Sequence, residues 1–227
     1  MNEGKRILII EDDQEISQLL HVILTKMGMT PIAAYSGTEG LLQLKNNPFD
    51  LILLDLMLPG ISGEELITQV REEKRTIPIM VISAKVGMDE KVQVLKMGAD
   101  DYITKPFHQK EIEARVEVQL RKSTAPSSQE DKKVWRGLII FPEKLSVTLE
   151  NNSLQVTNAE FDILSLLIHH PEHAFSKREI YEKIWKGTYV GDDNTISVHI
   201  SNLRRKMAEV TSEEYIRTIW GVGFMLV

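Results

Sequence analysis

Two runs of this chain, Ile-Leu-Ile-Ile at 7–10 and Leu-Ile-Leu-Leu at 51–54, carry no polar side chain at any position. A strand with one wetted face alternates apolar and polar residues. A run that is apolar on both faces must be covered on both, as in a parallel sheet held between layers of helices. Pro31–Ala34, Ile79–Ile82 and Asp101–Ile103 supply three more short strands. Between them lie helical periods: Ile16, Leu19, Leu20, Ile23 and Leu24 share one face, and Gly28 stands where that helix should stop. The first half therefore reads as an α/β domain with a doubly wound five-stranded parallel sheet. Ligands of such sheets sit beyond the carboxyl ends of the strands.

The residues at those ends carry chemistry. Glu11, Asp12 and Asp13 follow the first strand, Asp55 the third, Ser83 the fourth, and Lys105 with Pro106 the fifth. Taken singly, Asp12 or Asp13 reads as a helix N-cap, Asp55 as a turn residue and Lys105 as a solvated loop residue. Taken together, acids, a hydroxyl and an ammonium converge on one rim. Clustered carboxylates repel unless a cation neutralises them, and hard oxygen ligands at low count suit Mg²⁺. A carboxylate can also attack phosphorus to form an acyl phosphate, with a metal ion, a lysine and a hydroxyl holding the developing charge.

The motifs ILIIEDD, LILLDLMLPG, VISAK and GADDYITKPF resemble the receiver (CheY-like) domains of two-component response regulators across residues 5–122. The resemblance implies that Asp55 accepts a phosphoryl group from a sensor histidine kinase. It implies Mg²⁺ held by Glu11, Asp12, Asp55 and the backbone carbonyl of Met57. Ser83 would touch the phosphoryl group, Lys105 would pair with it, Tyr102 would be the switch aromatic, and Pro106 would follow a cis peptide bond. On the fourth and fifth helices and the fifth strand, Lys91, Asp100, Asp101, Glu111, Arg115 and Arg121 match the face through which similar regulators form dimers. Lys91–Glu111 and Asp101–Arg115 are the pairs expected to cross it.

Residues 121–133 are polar apart from one alanine and one proline and cannot bury a face, which divides the chain into 1–122, a linker at 123–133, and 134–227. There is no cysteine, so no disulfide, thiol chemistry or zinc-cysteine site. No apolar run approaches the ~20 residues of a membrane span, and the first apolar run is too short for a signal peptide. A cytoplasmic protein is expected. The net charge is −6, with −4 carried before residue 123 and −2 after it. Any contact with nucleic acid must therefore come from a local basic face.

The second half opens with alternating residues and turns at Pro142-Glu143 and Asn151-Asn152, the pattern of a small antiparallel sheet. Three helices should follow. Thr157 or Asn158 caps the first and Ser176 the second, and the third runs from about Asn194 to Met207. A hairpin from Tyr215 to Val227 turns through Gly221 and Gly223. With Ile196, Ile200, Leu203 and Met207 inward, the third helix is expected to turn Thr195, Ser197, His199, Ser201, Asn202, Arg204, Arg205 and Lys206 outward. Short polar side chains and arginines at that spacing suit major-groove reading. Periodicity alone leaves a solvated amphipathic helix equally open.

The stretches VTNAEFDILSLLIHHPEHAFSKREIYEKIWKG, NTISVHISNLRRKM and IRTIWGVGFML are similar to the α+β winged helix-turn-helix domain of OmpR/PhoB-type regulators. The resemblance implies that residues 194–207 form the recognition helix and that the last hairpin is a wing reaching the minor groove. Asn194, Ser201, Asn202, Trp220 and Phe224 depart from the better-known members. Four of them, Asn194, Ser201, Asn202 and Trp220, replace common basic positions. The combined reading is a transcription regulator, not an enzyme, that is activated by phosphorylation and bound as a dimer to direct-repeat sites on double-stranded DNA, with RNA polymerase as a further partner. The rivals are an Asp-nucleophile phosphatase, which lacks its second aspartate because Met57 stands there; a phosphorylation-independent DNA-binding protein; and a receiver serving only as an interaction module.

Overall fold

A computed structural model of the chain describes residues 4–73, 76–85, 87–121, 132–185 and 193–227, with only the backbone described at 121 and 193. The chain divides into two compact units, Met1–Thr124 and Ala125–Val227. Of the expected linker, 123–131 lie outside the described residues, and its last residue, Lys133, begins a strand.

In the first unit the strands are β1 (Arg6–Ile10), β2 (Thr30–Ala34), β3 (Leu51–Leu54), β4 (Ile79–Ser83) and β5 (Asp101–Thr104). They are all parallel, in the order β2-β1-β3-β4-β5. Ile7, Leu8, Ile9 and Ile10 are each fully buried, so both faces of β1 are covered, as its unbroken apolar run requires. Burying each such side chain contributes roughly 1.5–3 kcal/mol before chain entropy is counted. The helices are α1 (Gln14–Lys26), α2 (Gly37–Asn46), α3 (Gly63–Glu72), α4 (Met88–Met97) and α5 (Gln109–Arg121). Leu20, Ile23 and Leu24 of α1 join Ile112, Val116 and Leu120 of α5 in one core with the sheet. Leu19 does not: it is 48% exposed, at the edge of the stripe that buries its neighbours.

The chain crosses from β2 past β1 to β3, so the strand order reverses between β1 and β3. A crevice opens beyond their carboxyl ends at that switch point. Asp13 caps α1 by accepting from the Glu15 and Ile16 N–H groups at 2.8 and 3.1 Å, which leaves Glu11 and Asp12 to the crevice. A capping box between Ser62 and Glu65 starts α3. Gly63 follows so closely on β3 that a Cβ there would lie 2.4 Å from the Asp55 carbonyl oxygen and 2.7 Å from the Leu56 Cα.

The second unit begins with an antiparallel sheet of β6 (Lys133–Trp135), β7 (Leu138–Phe141), β8 (Ser146–Leu149) and β9 (Asn152–Leu154). Then come α6 (Asn158–Ile168), α7 (Lys177–Trp185) and α8 (Asp193–Ala208). Thr157 and Glu160 form a capping box on α6; Ser176 and Glu179 do the same on α7. The terminal hairpin pairs β10 (Ile216–Ile219) with β11 (Gly223–Leu226). Phe175 and Phe224 exchange backbone hydrogen bonds of 2.8 and 2.9 Å, tying the hairpin to the segment before α7.

Candidate functional site

The crevice beyond β1 and β3 brings together the residues expected there. The carboxylate oxygens of Glu11, Asp12 and Asp55 lie within 4.8 Å of one another. Glu11 and Asp55 are nearly buried, at 2% and 4% exposure, and Asp12 is exposed. Lys105 spans the pair: its Nζ donates to Glu11 at 2.7 and 2.9 Å and to Asp55 Oδ2 at 2.6 Å. The N–H groups of Leu56 and Met57 donate to Asp55 Oδ1 at 2.6 and 3.2 Å. One oxygen of Asp55 is thus fixed by backbone and the other by a side-chain ammonium. The Lys105–Pro106 peptide is cis, which follows the resemblance.

Burial pushes the Glu11 carboxyl up to about 7, against the hydrogen bond from Lys105 and with help from the Asp55 charge. Burial alone would lower the Lys105 ammonium, but its bonds to Asp55 and Glu11 outweigh that and raise it. Three carboxyl groups and one base leave the pocket with excess negative charge even with Lys105 in place. The oxygens of Glu11, Asp12 and Asp55 form a hard, compact donor set that fits Mg²⁺.

Ser83 is buried at the end of β4 and its Oγ accepts the Lys85 N–H at 3.4 Å. The Lys85 carbonyl accepts the Tyr102 hydroxyl at 2.5 Å, and its ammonium pairs with Glu64 on α3 at 2.7 Å. Tyr102 lies inward, 2% exposed, with the Lys91 ammonium 5.6 Å from its ring centroid. Burial raises its hydroxyl above the ordinary tyrosine range. Sequence reasoning missed the Glu64–Lys85 pair, which joins residues 21 apart and has no local pattern.

The charged residues assigned to the pairing face divide. Asp100 is fully buried and accepts from Arg71 Nη2 at 2.9 Å and from the Ile79 N–H at 3.0 Å, so it belongs to the interior rather than to a partner surface. Asp101 also turns inside its own chain, where Arg115 Nη1 donates to both its oxygens at 2.8 and 2.9 Å. Arg115 reaches Glu111 at 3.2 Å as well. The Asp101–Arg115 pair expected between chains is closed within one. The Arg121 side chain lies outside the described residues.

In the second unit α8 packs against α6 and α7, and this corrects the expected orientation. Thr195, His199 and Asn202, expected outward, are 3%, 0% and 5% exposed. The His199 ring stacks on Trp185, with centroids 6.2 Å apart and an interplanar angle of 23°. Lys206 pairs at 2.6 Å with Glu160, itself almost fully buried. Arg204 donates to the Ile216 carbonyl and to Thr218 Oγ1, both at 2.9 Å, and so binds the helix to the hairpin. Ser201 and Arg205 are exposed and Ser197 half-buried, which leaves a narrow outward stripe. Trp220, at the hairpin tip, is 92% exposed.

Comparison with known proteins gives these sites their setting. Residues 7–117 match the response regulator receiver domain, and residues 151–226 match the family described as transcriptional regulatory protein, C terminal. The uncharacterised transcriptional regulatory protein YcbL of Bacillus subtilis is 39% identical, covering 96% of this chain and 99% of its own. The alkaline phosphatase synthesis transcriptional regulatory protein PhoP of the same organism is 36% identical, covering 98% and 97%. Among solved structures, a mutant of RitR matches at TM-score 0.76 and 25% identity over 99% of both chains. The Thermotoga maritima OmpR/PhoB homologue DrrB shares the fold at TM-score 0.53 and 24% identity, over 98% and 99%. The chain belongs to the OmpR/PhoB-type response regulators, in which a receiver controls a DNA-binding winged helix, and it is a phosphorylation-dependent transcriptional regulator rather than an enzyme.

Proposed function

We propose that Asp55 is the phosphoacceptor. The observation that carries this reading is the Lys105 ammonium shared between Glu11 and Asp55, a cation poised 2.6 Å from the reacting carboxylate. An Asp55 oxygen attacks phosphorus, the bond from phosphorus to the histidine nitrogen of the sensor kinase breaks, and an acyl phosphate forms. Lys105 leaves Glu11 and follows the new phosphoryl oxygens, and the Ser83 hydroxyl donates to another. Glu11, Asp12 and Asp55, with the Met57 carbonyl, would hold Mg²⁺. When bound, the ion neutralises charge on the transferring group. A pull on Ser83 passes through Lys85 to Tyr102, because one loop residue bonds both. This biases the face made by α4, β5 and α5.

Chains then pair through that face, with Lys91, Glu111 and Arg115 at its surface, and the winged helices occupy adjacent direct repeats about one helical turn apart. The outward stripe of α8 (Ser197, Ser201 and Arg205) enters the major groove and the hairpin approaches the flanking minor groove. RNA polymerase is met at the promoter, and the whole cycle runs in the cytoplasm. The test is intact mass after incubation with Mg²⁺ and acetyl phosphate, beside an Asp55→Asn control. A single phosphoryl adduct that needs Mg²⁺ and vanishes in the control is expected. An adduct that survives in the control would move the acceptor elsewhere.

A further inference from the structure

The terminal hairpin is mounted rigidly. Its four cross-strand pairs run from Ile216–Leu226 to Ile219–Gly223, and the Val222 N–H closes the turn on the Ile219 carbonyl at 3.0 Å. Gly223 sits so close to Phe175 that a Cβ there would lie 1.9 Å from the Phe175 carbonyl oxygen. Arg204 clamps β10 from the α8 side, its guanidinium 5.8 Å from the Phe224 ring centroid. What this frame holds out is apolar. Trp220 is 92% and Val222 51% exposed, and residues 218–225 contain no charge. The cation nearest the tip along the hairpin, Arg217, is engaged with Glu214 at 2.8 Å.

A charge-free tip cannot read a minor groove through its negative potential. An indole carried on such a frame can enter one as a wedge, which is how apolar side chains unstack a base step and bend the duplex. We infer that Trp220 is an apolar wedge that enters the minor groove beside the α8 site and opens a base step there. This inference rests on the DNA-binding role of the second unit. The unit's net charge of −2 strengthens it, since contact area must supply what phosphate attraction does not. Pyrimidine–purine steps unstack most readily, so the wedge selects TA or CA at a position that no hydrogen bond reads.

The test uses the full chain with Mg²⁺ and beryllofluoride and end-labelled duplexes of about 30 bp, either A·T-rich with TA steps or G·C-rich without them. Anisotropy reports binding, energy transfer between the ends reports bending, and the difference between the wild type and Trp220→Phe isolates the Trp220 emission. Expected is loss of more than half of that emission on the TA duplex, with bending. Trp220→Ala should bind roughly tenfold more weakly and leave the duplex straight. Trp220→Arg should bind without bending and steepen the salt dependence by about one unit. Equal thermal melts of the variants exclude misfolding. Binding with unchanged Trp220 emission would overturn the wedge and spare the DNA-binding reading. Absence of binding to any duplex overturns both. Quenching that follows protein concentration without DNA would assign the tip to a protein contact and end the proposal.

Discussion

Arg115 holds both carboxylate oxygens of Asp101 within its own chain, at 2.8 and 2.9 Å. If dimers exchange this pair between subunits, the cis bond must open first. Arg115→Glu should therefore abolish the beryllofluoride-dependent shift in sedimentation, and mixing it with an Asp101→Arg chain should restore a heterodimer. The same change strips a partner from Asp101, whose side chain is 4% exposed, and should cost about 2–3 kcal/mol of receiver stability by denaturant unfolding, less than a fully buried pair because Arg115 is 16% exposed. A dimer that persists in the single variant would remove this pair from the interface.

The Glu11 carboxyl, pushed up to about 7 from an ordinary 4.5, should make magnesium binding at the proposed site proton-linked. Between those two values the folded chain holds a proton that the unfolded chain has lost, so the metal-free fold weakens as pH rises through that window. Magnesium needs the carboxylate, so its affinity should climb severalfold between pH 6 and pH 8. Calorimetry at the lower pH, in buffers of different ionisation enthalpy, should show up to about one proton released per ion. Equal affinity at both pH values would mean that Glu11 is ionised throughout.

Gly63→Ala drives a methyl toward backbone atoms of Asp55 and Leu56, at 2.4 and 2.7 Å, with no flexible side chain to yield. The strand end must shift, which should cost about 1–3 kcal/mol and slow acyl-phosphate formation more than tenfold. The readout is a denaturant midpoint beside the rate of adduct formation. A stable variant with a normal rate would show that the site tolerates displacement.

With Arg204 and Lys206 engaged inside the unit, few cations remain on α8 to neutralise phosphates. A monomer-locked chain such as Arg115→Glu should bind duplex DNA with a shallow salt slope and a Kd above about 1 µM at physiological salt. Phosphorylated wild type should gain at least tenfold through pairing. Nanomolar binding by the monomer would contradict the outward stripe described above.

Much of this was legible in the residues, and the misses share a cause. Ile7–Ile10 announced a strand covered on both faces because nothing in it is polar. The carboxylate site followed because strand ends converge by topology. The capping of α1 stayed open between Asp12 and Asp13 until backbone geometry chose Asp13. On α8, counting apolar residues found the stripe at Ile196, Ile200 and Leu203 but sent Thr195, His199 and Asn202 outward. A helix packed against two others buries more than one stripe, and the additional buried positions here are three polar residues, Thr195, His199 and Asn202, beside one apolar, Val198. Periodicity weighs hydrophobicity and not burial, so Asp100 and the Glu64–Lys85 pair escaped it too.

The inward set of α8 also limits how such a protein can acquire new targets. Thr195, His199 and Asn202 are part of the domain's interior, so a change there disturbs folding before it alters a preference for sequence. Ser201, Arg205 and Trp220 are exposed and can vary at little structural cost. A descendant copy that drifts toward a different promoter has those few letters to spell with, and the rest of the helix is held in common with its ancestor by its own packing.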